Sequence, residues 1–502
     1  MNNQTIYTHR FLARIVMETM TPLVVGNGEK DITTDALVAT DVNGLPYIPG
    51  TALAGIIRHA IDTQNPQIDN FGRKCSDLSF GYQETNEQRK HWMNFEQIEG
   101  SKSEENLSMG SNIIFTDAKM IGENNEPIDG IQPIDWNEDF FAHYKELPIR
   151  QHVRINDKGT TDRGGKFDEQ VVYKGTRFCF EIEMVSEKGG NELFKKVINE
   201  LCSENLRLGS GTRSGFGDFK VVKDECKQKD FDLFIPEQLD SYLKKSSCLS
   251  EEWDGGHLEN EEIKSSEYEK YELALTPEDF FLFGSGMGDA DADMTPVKED
   301  YIDWSSGKPV FKKNAVLIPA TSVKGALAHR VAFYFNKLNN VFADNLSEEE
   351  MDENVGKNNE AVKILFGSEG ERVGKEMINQ LRGNVIFSDI IETEFVNEKI
   401  LNHVSIDRFT GGAMASALFT EKTTYGKGKK FNTTILVKND ILDSIKDKDG
   451  KNIGQDVFES AMIDICNGLL PLGGGVNRGN GGFNGILKLN GKTIFSEEGG
   501  NI

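Results

Sequence analysis

Two halves of this 502-residue chain carry the same landmarks in the same order. Gly26, Gly28 and Asp35 recur as Gly284, Gly286 and Asp293, all displaced by 258 positions. Ile48, Pro49, Thr51, Gly55 and His59 recur as Ile318, Pro319, Thr321, Gly325 and His329, displaced by 270, so the second copy holds 12 extra residues between the two blocks. Leu78-Ser79-Phe80-Gly81 then answers to Ile364-Leu365-Phe366-Gly367, residues 112–117 to 384–389, His152-Val153 to His403-Val404, and the glycine-rich stretch 207–221 to 471–489. Matches kept in order over such lengths mark a tandem duplication with divergent loops, so both copies must adopt one plan.

That plan is readable within each copy. A short apolar strand opens the unit, at 9–20 and 270–277. A glycine-bearing loop follows, then a helix entered through Ile-Pro, with Thr close behind and apolar residues at helical spacing. Residues 111–121 and 383–392 read as strands, as do 175–185 and 429–437. Residues 191–203 and 457–470 read as amphipathic second helices. The order β-α-β-β-α-β predicts an α+β protein of two tandem ferredoxin-like (RRM-like) units with long loop and hairpin insertions, whose open sheets offer a surface for RNA. The boundaries fall at 1–225 and 270–502. Between them, residues 223–270 hold 14 acidic and 7 basic side chains, and 226–269 reads as a solvated acidic linker with one short helix near 232–245.

Charge narrows the function. A net charge of −25 argues against a free, nonspecific nucleic-acid binder and is compatible with a protein that holds RNA on local basic strips within an assembly. Two such strips interrupt the units: residues 143–178 carry 8 basic and 5 acidic side chains, and 403–431 carry 5 and 2. The 6 cysteines include no C-x-x-C pair, so neither a disulfide framework nor a zinc knuckle is signalled. No apolar run is long enough to span a membrane and the N-terminus lacks a signal-peptide core; a cytoplasmic location is the default expectation.

Candidate contacts follow from backbone chemistry. The helix starts at Gly50-Thr51 and Thr321 present N–H groups that favour a phosphate, with Arg58 and Lys324 on the same helices; the plainer reading is a capped core helix. Gly211, Gly215 and Gly475 let backbone approach a ligand closely, with Arg213 and Arg478 as phosphate partners; the plainer reading is a tight turn, and neither loop is a Walker motif. In the basic strips the candidates are His152, Arg154 and Arg163, then His403, Arg408 and Lys430, against the plainer reading of solvated loops. His59 and His329 read as histidines at the edge of the core.

These motifs resemble a known family. The helix start IPGTALAGIIR and the loop LGSGTRSGFGDF resemble the RAMP superfamily of CRISPR-associated proteins. The segment TTDALVATDVNGLPYIPGTALAG, the strand SNIIFTDA and the loop IDRFTGGAMASA are similar to backbone subunits of type III CRISPR effectors. The resemblance implies a fused two-unit backbone subunit that binds guide CRISPR RNA and stacks with other effector subunits. It makes each basic excursion a thumb-like hairpin that crosses the guide–target duplex and flips out one nucleotide. It places Asp35, and less directly Asp293, where target RNA is cut, with Mg²⁺ (or Mn²⁺) on these same aspartates; Asp31, Asp41, Asp289 and Asp291 are nearby competitors. The second copy departs by having Ala320 in place of Gly50 and a longer loop after Asp293. The alternatives are a purely structural RNA-binding subunit and a guide-processing endonuclease.

Overall fold

The computed structural model describes residues 7–31, 34–64, 74, 76–82, 108–156, 158–186, 191–259, 267–373, 376–392, 397–496 and 500–501. In the first half the principal elements are β1 (His9–Thr19), α1 (Gly50–Gln64), β2 (Ile113–Phe115), β3 (Ile149–Ile155), β4 (Thr161–Gln170), β5 (Arg177–Ser186), α2 (Asn191–Leu201), β6 (Phe219–Val221), β7 (Lys227–Asp232) and α3 (Pro236–Lys244). In the second they are β8 (Tyr268–Pro277), β9 (Lys298–Asp303), β10 (Val310–Ile318), α4 (Ala320–Leu338), β11 (Val385–Phe387), β12 (Asn397–Ile406), β13 (Ala413–Tyr425), β14 (Phe431–Lys438), α5 (Gly454–Cys466) and β15 (Phe483–Leu489).

The two sheets have one topology. β2 pairs with β5, β5 with β1, and β1 with β6. In the second copy β11 pairs with β14, β14 with β8, and β8 with β15. All these pairings are antiparallel, and each opening strand lies between the third and fourth strands of its motif. This is the tandem ferredoxin-like arrangement the sequence predicts. Alternation explains it: Phe11, Ala13, Ile15 and Met17 point from β1 into a core shared with Leu53, Ile57 and Ile61 of α1 and Val197, Ile198 and Leu201 of α2. Tyr271, Leu273 and Leu275 of β8 do the same in a second, separate core with α4 and α5.

Residues 227–257 do not behave as the solvated linker expected. β7 pairs with β1 over His9–Arg14, and α3 packs behind it. Leu12, Phe231 and Trp253 form a small cluster on the outer face of the first sheet, beside the buried pair of Arg14 with Glu181 at 2.9 Å. That face is covered by protein, so the first unit has no open sheet there for RNA.

The 12 extra residues of the second copy are also structured. They extend the β9–β10 hairpin, which runs directly into α4 and reaches back to the first unit. The Ile302 N–H donates to the Lys174 carbonyl at 2.9 Å and the Trp304 indole N–H to the Gly175 carbonyl at 2.7 Å. Gly175 is required there, because φ is +85° and a Cβ would stand 2.1 Å from the Ile302 oxygen. Arg177 lies 3.9 Å from the Trp304 ring centroid, and Phe311 stacks on His143 at 3.7 Å. Beneath them, Arg150 of β3 pairs with Glu299 at 2.5 Å and Asp389 at 2.7 Å. The units are therefore joined by a brace and a buried ionic lock.

Candidate nucleic-acid interface

Each unit extends a two-stranded hairpin, β3–β4 in the first and β12–β13 in the second, at the positions of the two basic strips. His152 lies opposite Phe167 and stacks on it, with ring centroids 4.8 Å apart; His403 lies opposite Phe419 and stacks at 4.8 Å. Glu169 stands 3.3 Å from His152 and Glu421 2.9 Å from His403. Each hairpin thus carries a stacked imidazole–phenyl pair at the same register position.

The two aspartates dock one residue beyond these aromatic rings. The Asp35 N–H donates to Asp168 Oδ1 at 3.0 Å, and the Asp168 N–H donates to Asp35 Oδ2 at 3.2 Å. The Thr420 N–H donates to Asp293 Oδ2 at 2.7 Å, and its hydroxyl to the same oxygen at 2.9 Å. Parallel bridges join Ala36 to Glu169 and Met294 to Glu421, so the two loops meet the two hairpins in matching register. Both aspartates are exposed. The backbone and hydroxyl bonds from Thr420 hold the Asp293 carboxyl below the ordinary aspartate range, which favours a carboxylate that places charge over one that accepts a proton. Lys422 and turn N–H groups hold Asp289, on the same loop, at about 2. Asp168 gives the first site a second carboxylate where the second site has a hydroxyl.

No group of three or more metal-ligating side chains occurs among the described residues. One or two carboxylates suit Mg²⁺ only if RNA phosphate oxygens and water complete its shell. Asp35 with Asp168 fits that requirement better than Asp293 with Thr420.

The other sequence candidates divide between the joint, the hairpins and internal pairs. The N–H of Gly50 donates to Asp117 Oδ1 at 2.9 Å and that of Ala320 to Asp389 Oδ1 at 2.7 Å, so a carboxylate already caps each helix start beside Thr51 and Thr321. A phosphate at the same spot would meet like charge. Arg58 pairs with Asp77, Arg154 with Glu369 across the joint, and Arg478 with the buried Glu421 at 2.6 Å. Gly211 packs under Phe216, Gly475 turns beside Asn480, and Gly215 lies against Ala320 and Asp389 of the other unit. Arg408 is at the exposed tip of β12–β13, and Lys430 is exposed beyond its base. The side chain of Arg163 lies outside the described residues.

Arg213 does not simply flank its glycine loop. It crosses the joint, where its Nε–H donates to the Gly383 carbonyl at 3.0 Å. Burial, then the neighbouring Arg382, pulls its guanidinium down to about 10. Lys324 is lowered by burial and by Arg213, and Arg382 lies 2.8 Å from His59 Nε2. Among the described residues, none of Arg213, Lys324 and Arg382 has a carboxylate within 4.0 Å. His59 is therefore an exposed joint residue and not a core-edge one: Leu53, Ile57 and Ile61 form the buried stripe of α1 and His59 falls between them on the outer side. These three cations gather at one seam of an otherwise acidic protein.

Sequence reasoning missed Asp168, Thr420, Glu169 and Glu421, which position the named residues. The signal was present: an aromatic residue followed by a polar residue and Glu recurs as Phe167-Asp168-Glu169 and Phe419-Thr420-Glu421.

A family model described as the RAMP superfamily matches residues 16–220 and 306–484. The first stretch contains Asp35 and its partner Asp168, and the second begins after Asp293. No curated protein matches the chain. No helix among the described residues is long and apolar enough to cross a membrane.

Proposed function

The chain belongs to the RAMP superfamily, as a CRISPR-associated RNA-binding subunit, and on that premise we propose that it is the two-unit backbone of a type III effector that cuts target RNA once per unit. The observation that carries this reading is the matched docking of Asp35 and Asp293 onto equivalent hairpin positions. Guide RNA runs along the joint, where Arg213, Lys324 and Arg382 meet its phosphates, and base pairing supplies sequence specificity. Each hairpin crosses the guide–target duplex and its stacked His and Phe hold an unstacked base. The adjoining ribose then presents its 2′-hydroxyl to its own phosphate. That oxygen attacks phosphorus, the 5′-oxygen leaves and takes a proton, and a cyclic phosphate remains.

Asp35 and Asp293 orient the 2′-hydroxyl and its phosphodiester for in-line attack; as carboxylates they place a cation and do not themselves neutralise the charge on phosphorus. Asp35 with Asp168, and Asp293 alone, would hold Mg²⁺ against the scissile phosphate, where the ion supplies charge neutralisation when bound. The test is target cleavage by the assembled complex with Mg²⁺. Asp35→Ala should remove one of two cuts, Asp293→Ala the other, and the double variant both. Loss of neither cut with either variant removes the aspartates from the mechanism. Intact target with the unaltered complex favours a purely structural subunit, and cutting of precursor repeat RNA by the isolated chain favours a guide-processing enzyme.

A further inference from the structure

The acceptor half of the internal joint occurs twice in this chain. In the second unit, Asp389 uses Oδ1 to cap α4 and receives Arg150 of the first unit on Oδ2 at 2.7 Å. In the first unit, Asp117 uses Oδ1 to cap α1 in the same way. Its Oδ2 has the Lys119 ammonium at 4.0 Å, and its side chain is 50% exposed, against 0% for Asp389. One carboxylate geometry is thus completed by a guanidinium inside the chain and turned outward at its end.

The donor half also occurs twice, but altered. Arg150 lies opposite Glu169 in its hairpin; the residue opposite Glu421 in the second hairpin is Leu401. The brace that carries Glu299 belongs to the second copy alone. A second copy of the chain, laying its β12–β13 hairpin on this face, would therefore set an aliphatic side chain against Asp117 and leave its charge with only the Lys119 ammonium at 4.0 Å as water is excluded.

We infer that the Asp117 face of the first unit receives an arginine-bearing hairpin from a separate, non-identical subunit, and that Leu401 prevents the chain from docking there itself. The occupant is defined by charge complementarity with a joint already seen within the chain, and the inference is independent of RNA cleavage. A guanidinium suits the site because it meets a carboxylate with directed, charge-assisted donors, as Arg150 does with Asp389.

Sedimentation of the purified full chain tests this, with Leu401→Arg as the surrogate donor. The unaltered chain and Leu401→Met should remain monomeric. Leu401→Arg should self-associate at least ~10-fold more tightly, and adding Asp117→Asn should abolish the gain. Thermal melting confirms that each variant is folded. Two results overturn the inference: a folded Leu401→Arg chain that stays monomeric, or an unaltered chain that self-associates and loses this with Asp117→Asn.

Discussion

Arg150→Met should uncouple the two units. Side-chain exposure is 6% for Arg150, 5% for Glu299 and 0% for Asp389, so removing the guanidinium strands two carboxylates in the joint. Breaking one partner out of a buried ionic group costs about 3–5 kcal/mol. Met keeps much of the apolar stem, so little of the loss comes from packing. The pH dependence separates charge from shape. Burial raises the Glu299 carboxyl above its ordinary 4.5 even beside Arg150. A group raised in the folded state contributes its stability fully below its ordinary value and loses it as pH rises through the raised one. Without Arg150 the Glu299 carboxyl climbs further, so the variant is weaker near neutrality than in mild acid at about pH 5, where Glu299 takes up its proton more readily. Urea unfolding at both pH values gives the magnitude. Hydrogen exchange of residues 298–318 shows whether the brace opens. A loss below about 1 kcal/mol near neutrality, or a loss that ignores pH, refutes the buried lock.

Three further outcomes follow from named contacts. Thr420→Val removes one of the bonds on Asp293 Oδ2, so its carboxyl should rise toward the ordinary range and the second cut should slow by roughly 10-fold while the first is unchanged, as read from product lengths on a gel. Asp168→Asn keeps an acceptor for the Asp35 N–H but removes a carboxylate; the first cut should then need about 10-fold more Mg²⁺ and the second no more, measured by metal titration. Gly50→Ala places a Cβ 2.3 Å from the Phe115 carbonyl oxygen and should cost about 1–3 kcal/mol in chemical denaturation, whereas Ala320→Gly at the twin position should cost about 1 kcal/mol or less.

The duplication made the fold legible because each copy supplies a check on the other. Apolar spacing gave β1, α1 and their twins, and the sheet order followed from the motif. β7 was not legible. Its sequence is KQKDFD, and as a strand paired alongside β1 in the same sheet it buries Phe231 while its lysines stay at the surface, so a charged run conceals a strand. The loop aspartates were found, but not what holds them: Asp168 lies 133 residues from Asp35 and Thr420 127 from Asp293, and no local pattern reports such a contact. Arg213 was read as a phosphate partner beside its glycine loop. Its burial against Gly383 depends on how one unit sits on the other, which neither copy specifies alone.

The differences between the copies have a physical logic. Positions that face inward at the joint and their twins at the free ends began as the same residues, since a duplication creates equal faces. They now differ where equality would be costly. Arg150 meets two carboxylates inside the chain, and its twin Leu401 meets none. The β9–β10 brace exists only where there is a preceding unit to grip. By contrast, the loop aspartate, the residue that receives it and the stacked His–Phe pair keep one geometry in both units. The joint thus fixes the distance between two equivalent hairpins, while the ends are freed to differ. On a guide whose repeat is set by base pairing, fixed separation is what would give two cuts a constant spacing. Opening the joint with Arg150→Met should therefore blur that spacing before it removes either cut.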